Sequence, residues 1–140
     1  MGEPTSGFAF LEHTADIGIR AWGTSLPDAF ERAGVGLATL MGTTATPPGR
    51  TIPIHVEGAD PGGLLVAFLD ELVYRCETTE GEGLASLRVT RLDAASLDAV
   101  AEFAPTSGPG EGLVVKAATY HALKLARTKD GWEAEVILDV

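Results

Sequence analysis

Three short segments of the sequence concentrate side chains that can bind a cation or move a proton. They are residues 12–16 (EHTAD), residues 116–121 (KAATYH) and residues 139–140 (DV). If Asp16 and Asp139 meet in the folded chain, their like charges are unfavourable unless a cation or a proton lies between them. Two carboxylates with carbonyl oxygens and water suit Ca²⁺ or Mg²⁺, or Mn²⁺ when His13 is nearby. We therefore hypothesise a divalent metal site at this pair.

The same residues have ordinary structural interpretations. Asp16 can close an Asx turn, and His13 can be a hydrogen-bonded turn histidine. His121 can pack on a sheet with its ring nitrogens bonded to the backbone, and Lys116 can be a solvated charge, as most lysines are. Residue type and spacing leave both interpretations open.

Several other kinds of chemistry are disfavoured by the sequence. The chain has no phosphate-binding loop, no G-x-S-x-G motif and no H-E-x-x-H motif. Cys76 is the single cysteine, so neither an intrachain disulfide nor a thiolate zinc cluster can form. Because Cys76 falls in a helical pattern with no histidine close in sequence, we predict a reduced core residue rather than a nucleophile. We assign no catalytic residue.

Composition and charge narrow the class of protein and its partners. The chain has 140 residues, 45% of them hydrophobic, and we predict one globular domain over residues 1–140. Its 20 acidic and 10 basic residues give a net charge of −10. This charge argues against non-specific phosphate binding and favours a basic protein surface or a cation as partner. Because no targeting or membrane-spanning segment is recognised, we expect a cytoplasmic protein without membrane contact.

Two helices are needed to hold these segments in place. One is predicted after Ser25, with Pro27 in its first turn, and the other after Asp60, with Pro61 just inside. Each then shows apolar residues at helical spacing, which indicates one buried face.

The rest of the chain alternates between apolar and polar residues, which is typical of strands. The predicted strands lie near residues 17–22, 52–56, 87–91, 99–103, 120–126 and 132–138. The last two flank Lys129-Asp130-Gly131, a strong hairpin signal. This order predicts an α+β fold in which a mostly antiparallel sheet carries two α-helices packed on one face.

A set of short matches along nearly the whole chain points to one family. They are residues 12–19 (EHTADIGI), Ala21, Gly23, residues 29–30 (AF), residues 68–72 (FLDEL), residues 116–117 (KA), residues 119–121 (TYH) and residues 137–140 (ILDV). In this order they resemble the archease family, whereas residues 88–112 carry no match. The resemblance implies an archease-like domain.

The resemblance also implies a function. Archeases are small acidic proteins that assist the RtcB-type RNA ligase in tRNA splicing and RNA repair. That ligase uses GTP and Mn²⁺ and passes through a guanylylated histidine. The resemblance therefore implies that this chain is not an enzyme but an activator, which promotes ligase guanylylation and multiple turnover and meets tRNA only through the ligase.

The family implies a metal site as well, commonly described as calcium. Carried onto this chain, its ligands are Asp16, Asp139 and Val140, the last through its carbonyl oxygen or its terminal carboxylate. His13, Lys116 and His121 are then expected to contact the partner or to support the metal ligands.

Three alternatives stay open at this point. The first is a small metal-dependent phosphoester hydrolase using Asp16, His13 and His121, which needs an open coordination position and a substrate pocket. The second is a chaperone-like modulator of a tRNA methyltransferase, as described for some family members. The third is a metal-stabilised scaffold with no influence on catalysis.

Overall fold

A computed structural model describes residues 5–12, 16–106 and 112–140, and this part of the chain contains two helices and eight strands. The elements follow the order β1 (Gly7–Glu12), β2 (Ile17–Gly23), α1 (Leu26–Leu40), β3 (Arg50–Glu57), α2 (Pro61–Thr78), β4 (Glu82–Leu92), β5 (Ser96–Pro105), β6 (Ala117–Ala118), β7 (Lys124–Thr128) and β8 (Gly131–Asp139). The predicted α+β class with two helices is confirmed.

The strands form two sheets rather than the single sheet expected from the sequence. The larger sheet has the order β1-β2-β8-β6, with β7 also pairing with β8, and the smaller has the order β3-β5-β4. All of these strand pairs are antiparallel, as predicted. Alternation in a sequence shows which face of a strand is buried, but it does not show which strands are neighbours, so the division into two sheets was not predictable.

Both helices begin where their capping residues predict. The Ser25 Oγ accepts a hydrogen bond from the Asp28 backbone N–H at 3.2 Å. The Asp60 Oδ1 accepts one from the Gly63 N–H at 2.7 Å. A side-chain cap of this kind contributes about 1 kcal/mol, and the proline that follows each cap suits the first helical turn. Local chemistry therefore fixes both helix starts.

The helices lie in contact with both sheets, whereas the sequence predicted helices on one face of one sheet. α1 contacts β1, β2 and β8 of the larger sheet and β4 of the smaller, and α2 contacts β6 and β7 as well as β3, β4 and β5. Between the helices the Phe30 and Phe68 rings stack with centroids 6.3 Å apart. Cys76 is buried and unpaired as predicted, and burial raises the pKa of its thiol.

The final hairpin forms around the predicted turn, but its first strand is shorter than predicted. β7 begins at Lys124 rather than at Tyr120, because residues 120–123 form a turn in which the Leu123 N–H donates to the Tyr120 carbonyl oxygen at 3.2 Å. Ala122 has a φ of 52° in this turn, which no strand residue adopts. No helix among the described residues is long and apolar enough to cross a lipid bilayer.

Candidate functional site

Strand register brings the two predicted metal-binding aspartates to the same end of the larger sheet. β2 pairs with β8 so that Ile17 lies opposite Leu138. Asp16 and Asp139 are the next outward residues on these two strands, so continuing the register by one residue places Asp16 across from Asp139. Directly opposite residues of an antiparallel pair have Cβ atoms about 4.5–5.5 Å apart. Asp16 precedes the first residue of β2, so the closeness of the two carboxylates stays a prediction, which the pairing of Ile17 with Leu138 favours.

The alternation of the same two strands decides which face the acidic pair occupies. Ile19 and its partner Val136 are fully buried against the core. Asp16 and Asp139 belong to the opposite set of positions, which also holds Gly18 and its partner Ile137. The Asp139 side chain is exposed and that of Asp16 is partly exposed. The pair therefore belongs to the face opposite Ile19 and Val136. Gly18 and Ile137 on this face are buried, but the exposure of Asp139 and the partial exposure of Asp16 give water and a cation access at the strand ends.

β6 adds a third strand to this end of the sheet. Ala117 pairs with Asp139, and the Lys116 backbone N–H donates to the Asp139 carbonyl oxygen at 2.8 Å. This bond places Lys116, whose side chain is exposed, beside the acidic strand end. The predicted grouping of Lys116 with Asp139 therefore rests on a backbone hydrogen bond.

α2 holds this short strand through a carboxylate to which sequence reasoning gave no role. The Asp70 Oδ1 accepts a hydrogen bond from the Ala118 backbone N–H at 2.7 Å. Asp70 is partly buried, and desolvation raises the pKa of its carboxyl although this hydrogen bond opposes the rise. The available signal was an acidic residue within the apolar pattern of α2. Asp70 connects the helix layer to the strand that carries Lys116.

His121 lies in the turn after β6 rather than on the strand end that carries Asp139. Its side chain is exposed, and its backbone N–H donates to the Thr119 Oγ1 at 3.3 Å. Thr119 in turn bonds the Ile137 carbonyl oxygen through its N–H at 3.0 Å and through its hydroxyl at 2.9 Å. Thr119 is thus bonded to Ile137, two residues before Asp139 on β8, and the chain that leads to His121 runs away from Asp139.

The described side chains offer two carboxylates for a cation at this end. Among residues 5–12, 16–106 and 112–140, no group of three or more His, Cys, Asp and Glu is arranged to hold a metal ion. His13, which the sequence placed near the pair, lies outside the described residues. Two carboxylates completed by carbonyl oxygens, including that of Val140, and by water form a hard oxygen set. The donors present therefore fit Ca²⁺ or Mg²⁺.

Comparison with known proteins gives the family. The model of the archease protein family (MTH1598/TM1083) matches residues 8–140. The chain belongs to the archease family. Protein archease of Methanosarcina acetivorans is 35% identical over 147 residues, covering 98% of this chain and 99% of that protein. Protein archease of Danio rerio is 32% identical over 142 residues, covering 97% of this chain and 86% of that protein.

Solved structures agree with the fold. The solution structure of Methanobacterium thermoautotrophicum protein 1598 has a TM-score of 0.75 and 27% identity, covering 96% of this archease and 99% of that chain. The crystal structure of an archease from Thermotoga maritima, described as a possible chaperone, has a TM-score of 0.65 and 23% identity. The match covers all of this chain and 98% of the Thermotoga maritima chain. At that identity the second comparison supports the fold alone. The names of these relatives are not those of enzymes.

Proposed function

We propose that this archease activates a GTP-dependent RtcB-type RNA ligase in tRNA splicing and RNA repair. In this proposal it promotes guanylylation of the ligase and its multiple turnover, and it contributes no catalytic residue of its own. Membership of the archease family supports the choice of partner. The observation that carries the proposal is the β2–β8 register, whose last pair, Ile17 and Leu138, leaves Asp16 and Asp139 as the next residues at the same sheet end.

Charge supports docking on a nucleotide-binding or RNA-binding protein rather than on RNA itself. The net charge of −10 repels phosphates, but it complements the basic cleft in which a ligase holds RNA and GTP. Complementary charge accelerates encounter and fixes orientation more than it adds affinity. The end of the larger sheet that carries Asp16 and Asp139 is therefore the surface that we place toward the ligase.

Within this surface, Asp16, Asp139 and the Val140 carbonyl would hold a divalent cation, most suitably Ca²⁺. A bound cation would neutralise two like charges and tie the ends of β2 and β8 together. Lys116 would add a positive charge at the rim, fixed by its backbone bond to Asp139. Asp70, through Ala118, keeps β6 in register so that Lys116 stays there.

The test is a single-turnover guanylylation assay with the purified ligase and labelled GTP. We expect Asp16→Asn and Asp139→Asn each to reduce the stimulation strongly. Asp130→Asn is the matched control, because it makes the same charge change in the exposed turn between β7 and β8, at the other end of β8. Stimulation by both acidic-pair variants equal to that by Asp130→Asn would contradict the proposal.

The hydrolase alternative needs a third metal ligand and a substrate pocket at the same place. Its candidate His121 lies in a turn bonded to Thr119, and His13 is outside the described residues. No observation favours this alternative, and we do not propose it. The tRNA methyltransferase alternative stays a prediction, which a binding assay with the purified methyltransferase would test.

A further inference from the structure

An open cavity of about 450 Å³ lies on the flank of the molecule, between the start of α2 and the β7–β8 hairpin. Its volume is within the range of about 300–1,000 Å³ that is typical of ligand pockets. The cavity is distinct from the acidic pair, because Trp132, on its wall, stands near the opposite end of β8 from Asp139.

The walls of this cavity are apolar and aromatic. Leu123 and Leu125 form one side, and the Tyr120 and Trp132 rings contribute aromatic surface. Tyr120 is 67% exposed, which is unusual for so large a ring and leaves its surface available to a partner. Gly62 lets α2 approach the hairpin, since a Cβ at this position would lie 2.9 Å from the Leu123 Cδ2.

One charged group lines the cavity, and it is acidic. Asp60 caps α2 through its Oδ1, which accepts the Gly63 N–H at 2.7 Å. The helix cap uses Oδ1, and the same carboxylate is the acceptor that the cavity wall offers to a bound donor. The N-terminus of α2 contributes about half a positive charge. The full negative charge of Asp60 exceeds it, and the cavity therefore favours a cation over a phosphate.

We propose that this cavity binds an arginine side chain presented by a basic partner protein. The aliphatic stem of arginine would pack on Leu123 and Leu125, and its planar guanidinium would stack on the exposed Tyr120 ring. The Trp132 ring already carries the guanidinium of Arg127, 5.7 Å from its centroid, and serves as part of the cavity wall. The guanidinium would also donate hydrogen bonds to the Asp60 carboxylate. A lysine ammonium would bind this carboxylate less well, because it lacks the planar fork of arginine. The net charge of −10 favours a partner with a basic surface. The assignment holds whichever basic protein supplies the arginine.

The experiment is an NMR titration of the ¹⁵N-labelled whole chain with the peptide acetyl-Gly-Arg-Gly-amide. The matched probe is the same peptide with citrulline, which keeps the shape of arginine but carries no charge. We expect saturable shifts of the Trp132 indole N–H and of the Gly62, Leu123 and Leu125 amides, and markedly weaker binding of the citrulline peptide. Equal binding of the two peptides, or shifts confined to other parts of the chain, would overturn the assignment.

Variants separate the cavity from general attraction between opposite charges. Asp60→Asn keeps a good helix cap, so the fold is preserved while the charge is lost. We expect it to weaken binding of the arginine peptide by about two- to fivefold. Tyr120→Ala removes an exposed ring without opening the core, and we expect a similar loss. Glu80→Gln makes the same change in net charge at an exposed residue beyond the opposite end of α2 from Asp60, and it should bind like wild type. A loss in Glu80→Gln equal to that in Asp60→Asn would also refute the proposal.

Discussion

The facing positions of Asp16 and Asp139 predict that one substitution has opposite effects on stability with and without metal. If the β2–β8 register is continued by one residue beyond Ile17 and Leu138, the two carboxylates of the metal-free protein face and repel each other. Like charges placed directly opposite in a sheet cost about 0.2–1 kcal/mol. Asp16→Asn removes this repulsion at nearly constant side-chain size. In EDTA we therefore expect the variant to be more stable than wild type, by about 1–3 °C in Tm for a chain of this length.

With metal the order reverses. A ligand that binds only the folded state at a hundred times its Kd stabilises it by about 2.7 kcal/mol, which corresponds to about 8 °C here. Wild type should show this increase on addition of Ca²⁺. Asp16→Asn keeps one carboxylate of the pair and should show little of it. Wild type should therefore have a lower Tm than Asp16→Asn in EDTA and a higher Tm than Asp16→Asn in saturating Ca²⁺.

The assay is thermal unfolding followed by circular dichroism, with Asp130→Asn as the charge-matched control. A full Ca²⁺ shift in Asp16→Asn, or none in wild type, would refute a metal site at this pair. A variant that is about 1 kcal/mol or more less stable than wild type in EDTA would instead assign Asp16 a structural role, such as closing a turn.

Two further predictions concern groups outside the acidic pair. Asp70→Ala leaves the partly buried Ala118 N–H without its acceptor and should cost about 1–3 kcal/mol in urea unfolding, whereas Asp70→Asn, which keeps an acceptor oxygen, should cost less. The hydrogen bond that the His55 Nδ1–H donates to the Asp98 carboxylate raises the pKa of His55, so its stabilisation is fully present below about pH 6.5 and is lost as pH rises through the higher folded pKa. His55→Gln should therefore remove a fall in stability above neutral pH, and a variant with the wild-type pH profile would contradict this.

The sequence was sufficient to predict the parts of the fold that depend on residues close to one another in the chain. Ser25 and Asp60 mark both helix starts, because a capping side chain bonds an N–H only a few residues away. Lys129 and Asp130 mark the final turn for the same reason. These elements depend on interactions between residues close in sequence, and such interactions can be predicted from a single sequence.

Long-range pairing was beyond the reach of pattern reasoning. The two-residue strand β6 has no period to detect, and it exists because Ala117 pairs with Asp139 and Asp70 bonds Ala118. The turn at Ala122, with its positive φ, interrupts an alternation that predicted a longer strand. The closeness of Asp16 and Asp139 was a hypothesis from their chemistry and from family resemblance. The β2–β8 register gives it a physical basis, whereas the metal itself stays a prediction.

The most direct test of the proposed function counts ligated RNA per molecule of the RtcB-type ligase, with GTP and excess RNA, in the presence and absence of this archease. We predict many products per ligase molecule with wild type, and about as few as without it when Asp16→Asn or Asp139→Asn is added instead. Equal product with and without the wild-type protein would contradict the account.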